Sequence, residues 1–133
     1  MAHADYPDPI LICSTTGTGV QPNILDASAF SVPRLPCVIS IHISNTATVK
    51  VWASVRVSGT DPATLTRKID ISGGGFTLSD FYDLPQNGPR YFQIEVTANT
   101  GTVTVEACPG LVNGNVIGLP NLLRMTNVAT QGM

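Results

Sequence analysis

Charge is the scarcest ingredient of this chain. Asp, Glu, Lys and Arg make up 12% of its residues, against about 25% in ordinary globular domains. A surface with so few charges is weakly protected against association. It belongs either to a monomer solvated by Thr, Ser and Asn or to a protein whose outside is largely covered in its working state; the second reading is favoured. The Lys and Arg residues are few and scattered and the net charge is −2, so nothing marks a nucleic-acid partner.

Other absences narrow the field. No apolar run approaches the ~20 residues of a membrane span. The opening MAHADYPDP has neither the basic segment nor the apolar stretch of a secretory signal, so the expected place of synthesis and assembly is the cytoplasm, without a membrane partner. The three cysteines, Cys13, Cys37 and Cys108, fit no metal-ligand spacing. Buried free thiols are the expectation; a Cys13–Cys37 bridge is the weaker alternative, and the odd count argues against a disulfide framework. His3 lies in an N-terminal arm and His42 on the polar side of a strand pattern. Asp80 and Asp83 flank aromatics and read as turn residues. There is no G-x-S-x-G, H-E-x-x-H or C-x-x-C. No catalytic residue, metal or cofactor is expected, and an enzyme is the disfavoured class.

What the chain does have is a period of two. In VISIHISNTATVKVWASVRV (38–57), Ile39, Ile41 and Ile43 alternate with Ser40, His42 and Ser44, and Val49, Val51, Ala53, Val55 and Val57 alternate with polar residues or Trp52. Successive strand side chains point to opposite faces, so this sorts one buried and one wet face. Asn45-Thr46-Ala47 reads as the tight turn of a hairpin. Phe92, Ile94, Val96 and Ala98, then Val103, Val105 and Ala107, read as a second hairpin around Asn99-Thr100-Gly101, with Gly101 free to take a positive φ. Two half-apolar hairpins hide their faces against each other or another layer. The expected fold is all-β: an antiparallel β-sandwich, jelly-roll or Ig-like, with extended N- and C-terminal arms.

At 133 residues one domain is expected. Residues 1–31 form an N-terminal arm and first short strands, 32–108 the sandwich core, and 109–133 an apolar tail or last strand. Ile10-Leu11-Ile12-Cys13 is expected to make a short buried strand after Pro7 and Pro9. Leu65, Arg67, Ile69 and Ile71 outline a less regular strand, and Gly73-Gly74-Gly75 then marks a bend or a close backbone approach. Phe81, Tyr82 and Leu84 are expected to cap an open end, and Arg90 to pair with Asp83 or a partner. Trp52 is the best single binding candidate: it anchors an interface or stacks on a sugar, or else a second layer covers it. The last 25 residues hold one charge, Arg124, and apolar Leu119, Leu122, Leu123 and Met125 among others. Extended, they reach roughly 80 Å at about 3.3 Å per residue. They either close a sheet edge or lie on a neighbouring subunit.

The run Asn45-Thr46-Ala47-Thr48-Val49-Lys50-Val51-Trp52, with Leu84-Pro85, Pro89-Arg90-Tyr91-Phe92-Gln93-Ile94-Glu95-Val96-Thr97-Ala98 and Gly101-Thr102-Val103-Thr104-Val105, resembles the small β-sandwich virion proteins of tailed bacteriophages. Many of these are head decoration, or cement, proteins. The resemblance covers roughly residues 38–108 and rests on general β-strand grammar. Ser58-Gly59-Thr60-Asp61 stands where such proteins often carry a serine–aspartate–glycine turn. The resemblance implies a non-enzymatic capsid protein on the virion exterior, often a homotrimer, that binds the major capsid protein and bridges capsomers with its arms. The interface candidates are then Ile10, Leu11, Ile12, Trp52, Leu119, Leu122, Leu123 and Met125. The rival function is a carbohydrate-binding β-sandwich module of a phage fibre or tail, with Trp52 and Tyr91 or Tyr82 as stacking platforms.

Overall fold

The computed structural model describes residues 9–27, 37–85 and 87–109. Ten strands account for most of them: β1 (Ile10–Thr15), β2 (Gly19–Asp26), β3 (Cys37–Ile43), β4 (Ala47–Ser54), β5 (Arg56–Val57), β6 (Leu65–Thr66), β7 (Ile69–Asp70), β8 (Asp80–Leu84), β9 (Tyr91–Asn99) and β10 (Val103–Pro109). No α-helix occurs among the described residues. One four-stranded sheet runs β1-β10-β3-β8, the other β2-β9-β4-β7, and β5-β6 is a separate two-stranded ribbon. Every named pairing is antiparallel. The fold is thus an all-β, antiparallel sandwich.

Its connectivity corrects the expected hairpins. β3 and β4 lie in opposite sheets, and so do β9 and β10. Each pair is an arch: the chain leaves one sheet and enters the facing one. The same holds for β1 to β2 and for β7 to β8, and the two sheet orders match position by position. That is the eight-stranded jelly-roll plan. An Ig-like sandwich has several chain-consecutive strands side by side within its sheets; among these eight strands only β4 and β7 are so placed, and the β5–β6 ribbon lies between them in the chain. Alternation cannot tell a hairpin from an arch, because both turn one face inward. Loop conformation can. Two-residue hairpin loops need positive φ, and the positive-φ residues of the described chain are Arg67, Gly19, Gly73, Gly74, Gly75 and Gly88, none of them in either arch.

Gly101 is therefore not a positive-φ residue. It is needed for space: an added Cβ would collide with Ser44 Oγ and lie 3.0 Å from Asn45 Cβ. The arches 44–46 and 100–102 press together there. Ser44 N–H donates to Thr102 O (3.0 Å), Thr100 N–H to Thr46 O (2.8 Å), Thr102 N–H to Ser44 Oγ (2.8 Å) and Thr46 N–H to Thr100 Oγ1 (3.2 Å). Asn99 Nδ2 reaches over to donate to Thr15 O and Gly17 O, tying in the first arch. The glycine run serves the close approach foreseen for it. Gly75, at φ 126°, packs on the Thr48 side chain, and Phe76 exchanges backbone bonds with Val49.

The core lies between the sheets. Ile39, Ile41, Val103 and Val105 from one sheet face Val49, Val51, Ile94 and Val96 from the other, all 2% exposed or less. Burying each such side chain contributes about 1.5–3 kcal/mol, and their β-branched shape suits a pleated surface. The alternation then breaks where sheet pairing stops. Val55, expected inside, is 70% exposed, because it sits at the bend between β4 and the β5–β6 ribbon. The strand expected over 65–71 is split into β6 and β7 around Arg67, whose φ is 52°. Phe81, Tyr82 and Leu84 do not cap an end; they belong to β8, an edge strand beside β3. The strands preceding residue 32, β1 and β2, belong to the two sheets as fully as those after it.

Candidate functional site

The two ends of the sandwich differ. The arches 16–18, 44–46 and 100–102 gather at one end, joined by the bonds above. At the other end Ile10 faces Ala107, Pro109 faces Cys37, Cys37 faces Leu84 and Asp26 faces Tyr91. The described stretches 9–27, 37–85 and 87–109 all start and finish at this second, open end. Here Asp26 receives Arg90 bidentately, Nε to Oδ1 and Nη2 to Oδ2, both 2.9 Å, and Ala27 N–H donates to Arg90 O. Arg90 is therefore paired with Asp26, not with Asp83.

β1 presents an apolar surface at this end. A register shift between Leu11 and Cys13 makes a bulge, which places one residue more on this strand than its partner can pair. Consecutive Ile12 (4%) and Cys13 (7%) both turn inward, while Ile10 (42%) and Leu11 (56%) remain in solvent. Ile10, Leu11 and Ile12 form one wall of an open groove of about 400 Å³, and Asn23, Ile24, Leu25 and Asp26 of β2 form the other. Its polar side chains are engaged: Asn23 Nδ2 donates to Ile12 O at 2.8 Å, and the Asp26 carboxylate accepts from Arg90. The groove offers apolar contact, with no converging donors or acceptors for a small polar ligand.

Edge strands carry guards against stray pairing, namely charges, prolines, bulges or shortness. β2 has Pro22 and a register shift between Val20 and Ile24. β7 is two residues long. β8 has Asp80 and Asp83 beside Phe81, which is 70% exposed. β1, sequence ILICST, has neither charge nor proline, and its bulge leaves Leu11 outside. Exposed Val55, Ile69, Leu78 and Phe81 were missed as surface residues; a period of two gives no sign of where pairing lapses.

Trp52 stands on the outer face of β4, half-buried. Its indole Nε1–H donates to Glu95 Oε1 at 2.9 Å. Lys68 Nζ lies 4.5 Å and Lys50 Nζ 5.4 Å from the ring centroid, so both lysines of the chain meet its one tryptophan. Each such contact is worth about 0.5–1 kcal/mol at exposed sites. Arg56, four residues on, belongs to the β5–β6 ribbon. A sugar stacking on Trp52 would have to displace the lysines.

Of the remaining titratable groups, Asp70 is held as a carboxylate below its ordinary range. The Ser72 hydroxyl contributes most, then the Ser72 and Gly74 amides, with Lys50 adding attraction. Burial pushes the Cys13 thiol up to about 11. Cys13, Cys37 and Cys108 form no disulfide with one another, and the first two are buried. Among the described residues no cluster of three or more His, Cys, Asp or Glu forms a candidate metal site.

The eight interface candidates separate accordingly. Ile10, Leu11 and Ile12 come together in the groove, Trp52 lies on the outer face of the other sheet, and Leu119, Leu122, Leu123 and Met125 fall outside the described residues. Comparison with family models, curated proteins and solved structures finds no match.

Proposed function

We propose that this chain is a non-enzymatic virion structural protein: a decoration protein that docks on the outer surface of a bacteriophage head, binds the major capsid protein and associates with itself as a homotrimer. The observation that carries this reading is the asymmetry of the sandwich. One end is zipped shut by its own arches, and the other bears an apolar groove where the N-terminal, connecting and C-terminal segments meet the sheets. Low total charge fits a part used in a covered state. Jelly rolls build capsid and lectin domains, among others, so the fold accommodates the reading without deciding it. Repeated copies on a shell gain avidity from many modest contacts.

The test is addition of the purified full chain to undecorated phage heads. Bound mass and a higher head melting temperature are expected; heads unchanged in mass overturn the proposal. The same preparations distinguish the carbohydrate reading. Glycan binding by the free chain that is lost in Trp52→Ala, with no binding to heads, would make it a fibre or tail module instead.

A further inference from the structure

We infer that the groove between β1 and β2 receives the C-terminal segment of a neighbouring copy, with the apolar side chains of 110–128 seated on Ile10, Leu11 and Ile24. This rests on the decoration reading and deepens it by naming which surface and which segment join the copies.

Three observations point to this occupant. The first is chemistry. The groove is mostly apolar: its one side-chain amide is spent on Ile12 O, its one carboxylate, Asp26, is engaged by Arg90, and its β1 wall carries no charge. The segment after Pro109 is matched to it, with Leu111, Val112, Val116, Ile117, Leu119, Leu122 and others against the single charge of Arg124. The N-terminal residues 1–8 are nearer but poorly matched, since they hold Asp5, Asp8, His3 and Pro7. The second is length. The 24 residues from Gly110 to Met133 span about 80 Å when extended at about 3.3 Å each, ample to leave one sandwich and cross the next.

The third is direction, which selects a neighbour over the parent chain. β10 runs out of the open end at Pro109, and the start of β1 stands between that point and the groove, because Ile10 lies opposite Ala107. A segment returning to its own groove has to reverse and cross the chain entering β1 at Pro9. Chain paths at one sheet edge avoid such crossings. Folding back directly would also set it parallel to β1, whereas every pairing described here is antiparallel. A segment arriving from a neighbour meets neither constraint.

The experiment uses the full chain and two variants, Leu11→Lys in the groove and Leu119→Lys in the segment, each examined by light scattering and by hydrogen exchange of those β1 amides that do not bond β10. The wild type is expected to be oligomeric with β1 protected. Either variant is expected to weaken the association constant at least tenfold, shifting the mass toward that of the monomer, and to deprotect β1, with unfolding midpoints unchanged. A monomer with β1 protected overturns the inference in favour of the chain's own segment. A monomer with β1 unprotected, or an oligomer indifferent to both variants, overturns it outright. Head binding, measured on the same samples, separates the two levels: if the wild type decorates heads but its assembly ignores both substitutions, the arm exchange is wrong and the decoration reading stands.

Discussion

The two ends of this sandwich are built from the same strands and are finished differently. At the arch end, backbone groups that leave the sheets find partners at once: Thr46 with Thr100, Ser44 with Thr102, and Asn99 with Thr15 and Gly17. At the open end Ala27 N–H donates to Arg90 O, Arg90 N–H donates to Ser54 O and Asp26 and Arg90 form an exposed ion pair, while apolar surface at Ile10 and Leu11 stays in solvent. Buried backbone groups have to be paired, so an end that pairs its own is complete. An end that leaves leucine and isoleucine in water beside a groove still has area to lose to a partner. On the proposed reading, the difference separates residues that hold the fold from residues that would take a partner.

That comparison breaks most readily at Gly101. Gly101→Val pushes a side chain into Ser44 and Asn45, and overpacking of this kind costs about 1–3 kcal/mol; a urea midpoint near that of the wild type would mean the arches are looser than described. Thr100→Val is next. It removes the hydroxyl that accepts from Thr46 N–H and donates to Thr46 O, a loss of about 0.5–1.5 kcal/mol per bond, again read from urea unfolding.

Asp70 sharpens the contrast through pH. Its folded pKa is depressed by Ser72 and Gly74, so its contribution is complete above the unfolded value of about 3.9 and is lost as pH falls through the lower folded value. Asp70→Asn should therefore be less stable than the wild type at pH 6 and approach it at pH 2.5. A gap that stays constant would show that the carboxylate charge is not what Ser72 and Gly74 hold. The smallest effect belongs to the open end. Leu11→Ser should change stability by no more than about 0.5 kcal/mol, as surface substitutions usually do, while weakening self-association measured by sedimentation.

Much of this was legible in the residues, and the reasons for what was not are physical. Alternation in 38–57 and 91–107 correctly places Ile39, Val49, Ile94 and Val105 inside, because burial of one face is the same demand in any sandwich. It says nothing of which sheet a strand joins, so two arches read as hairpins. Gly101 was singled out for backbone freedom, yet it serves the approach of a loop 56 residues earlier in sequence, Asn45. Only three-dimensional contact reveals that. The apolar run Ile10-Leu11-Ile12 was visible, but its split into exposed and buried members follows from a bulge that leaves no mark in composition. Arg90 showed itself as a charge at a strand start; its partner Asp26 lies 64 positions away, beyond any local pattern.

The most direct test of the account is an electron-microscopy map of heads carrying this protein. The open end, with Ile10, Leu11 and the start of β2's groove wall, is predicted to face the shell and neighbouring copies, while the arches at 16–18, 44–46 and 100–102 point to solvent. A map in which the arches touch the shell and the groove stands empty in solvent would contradict it.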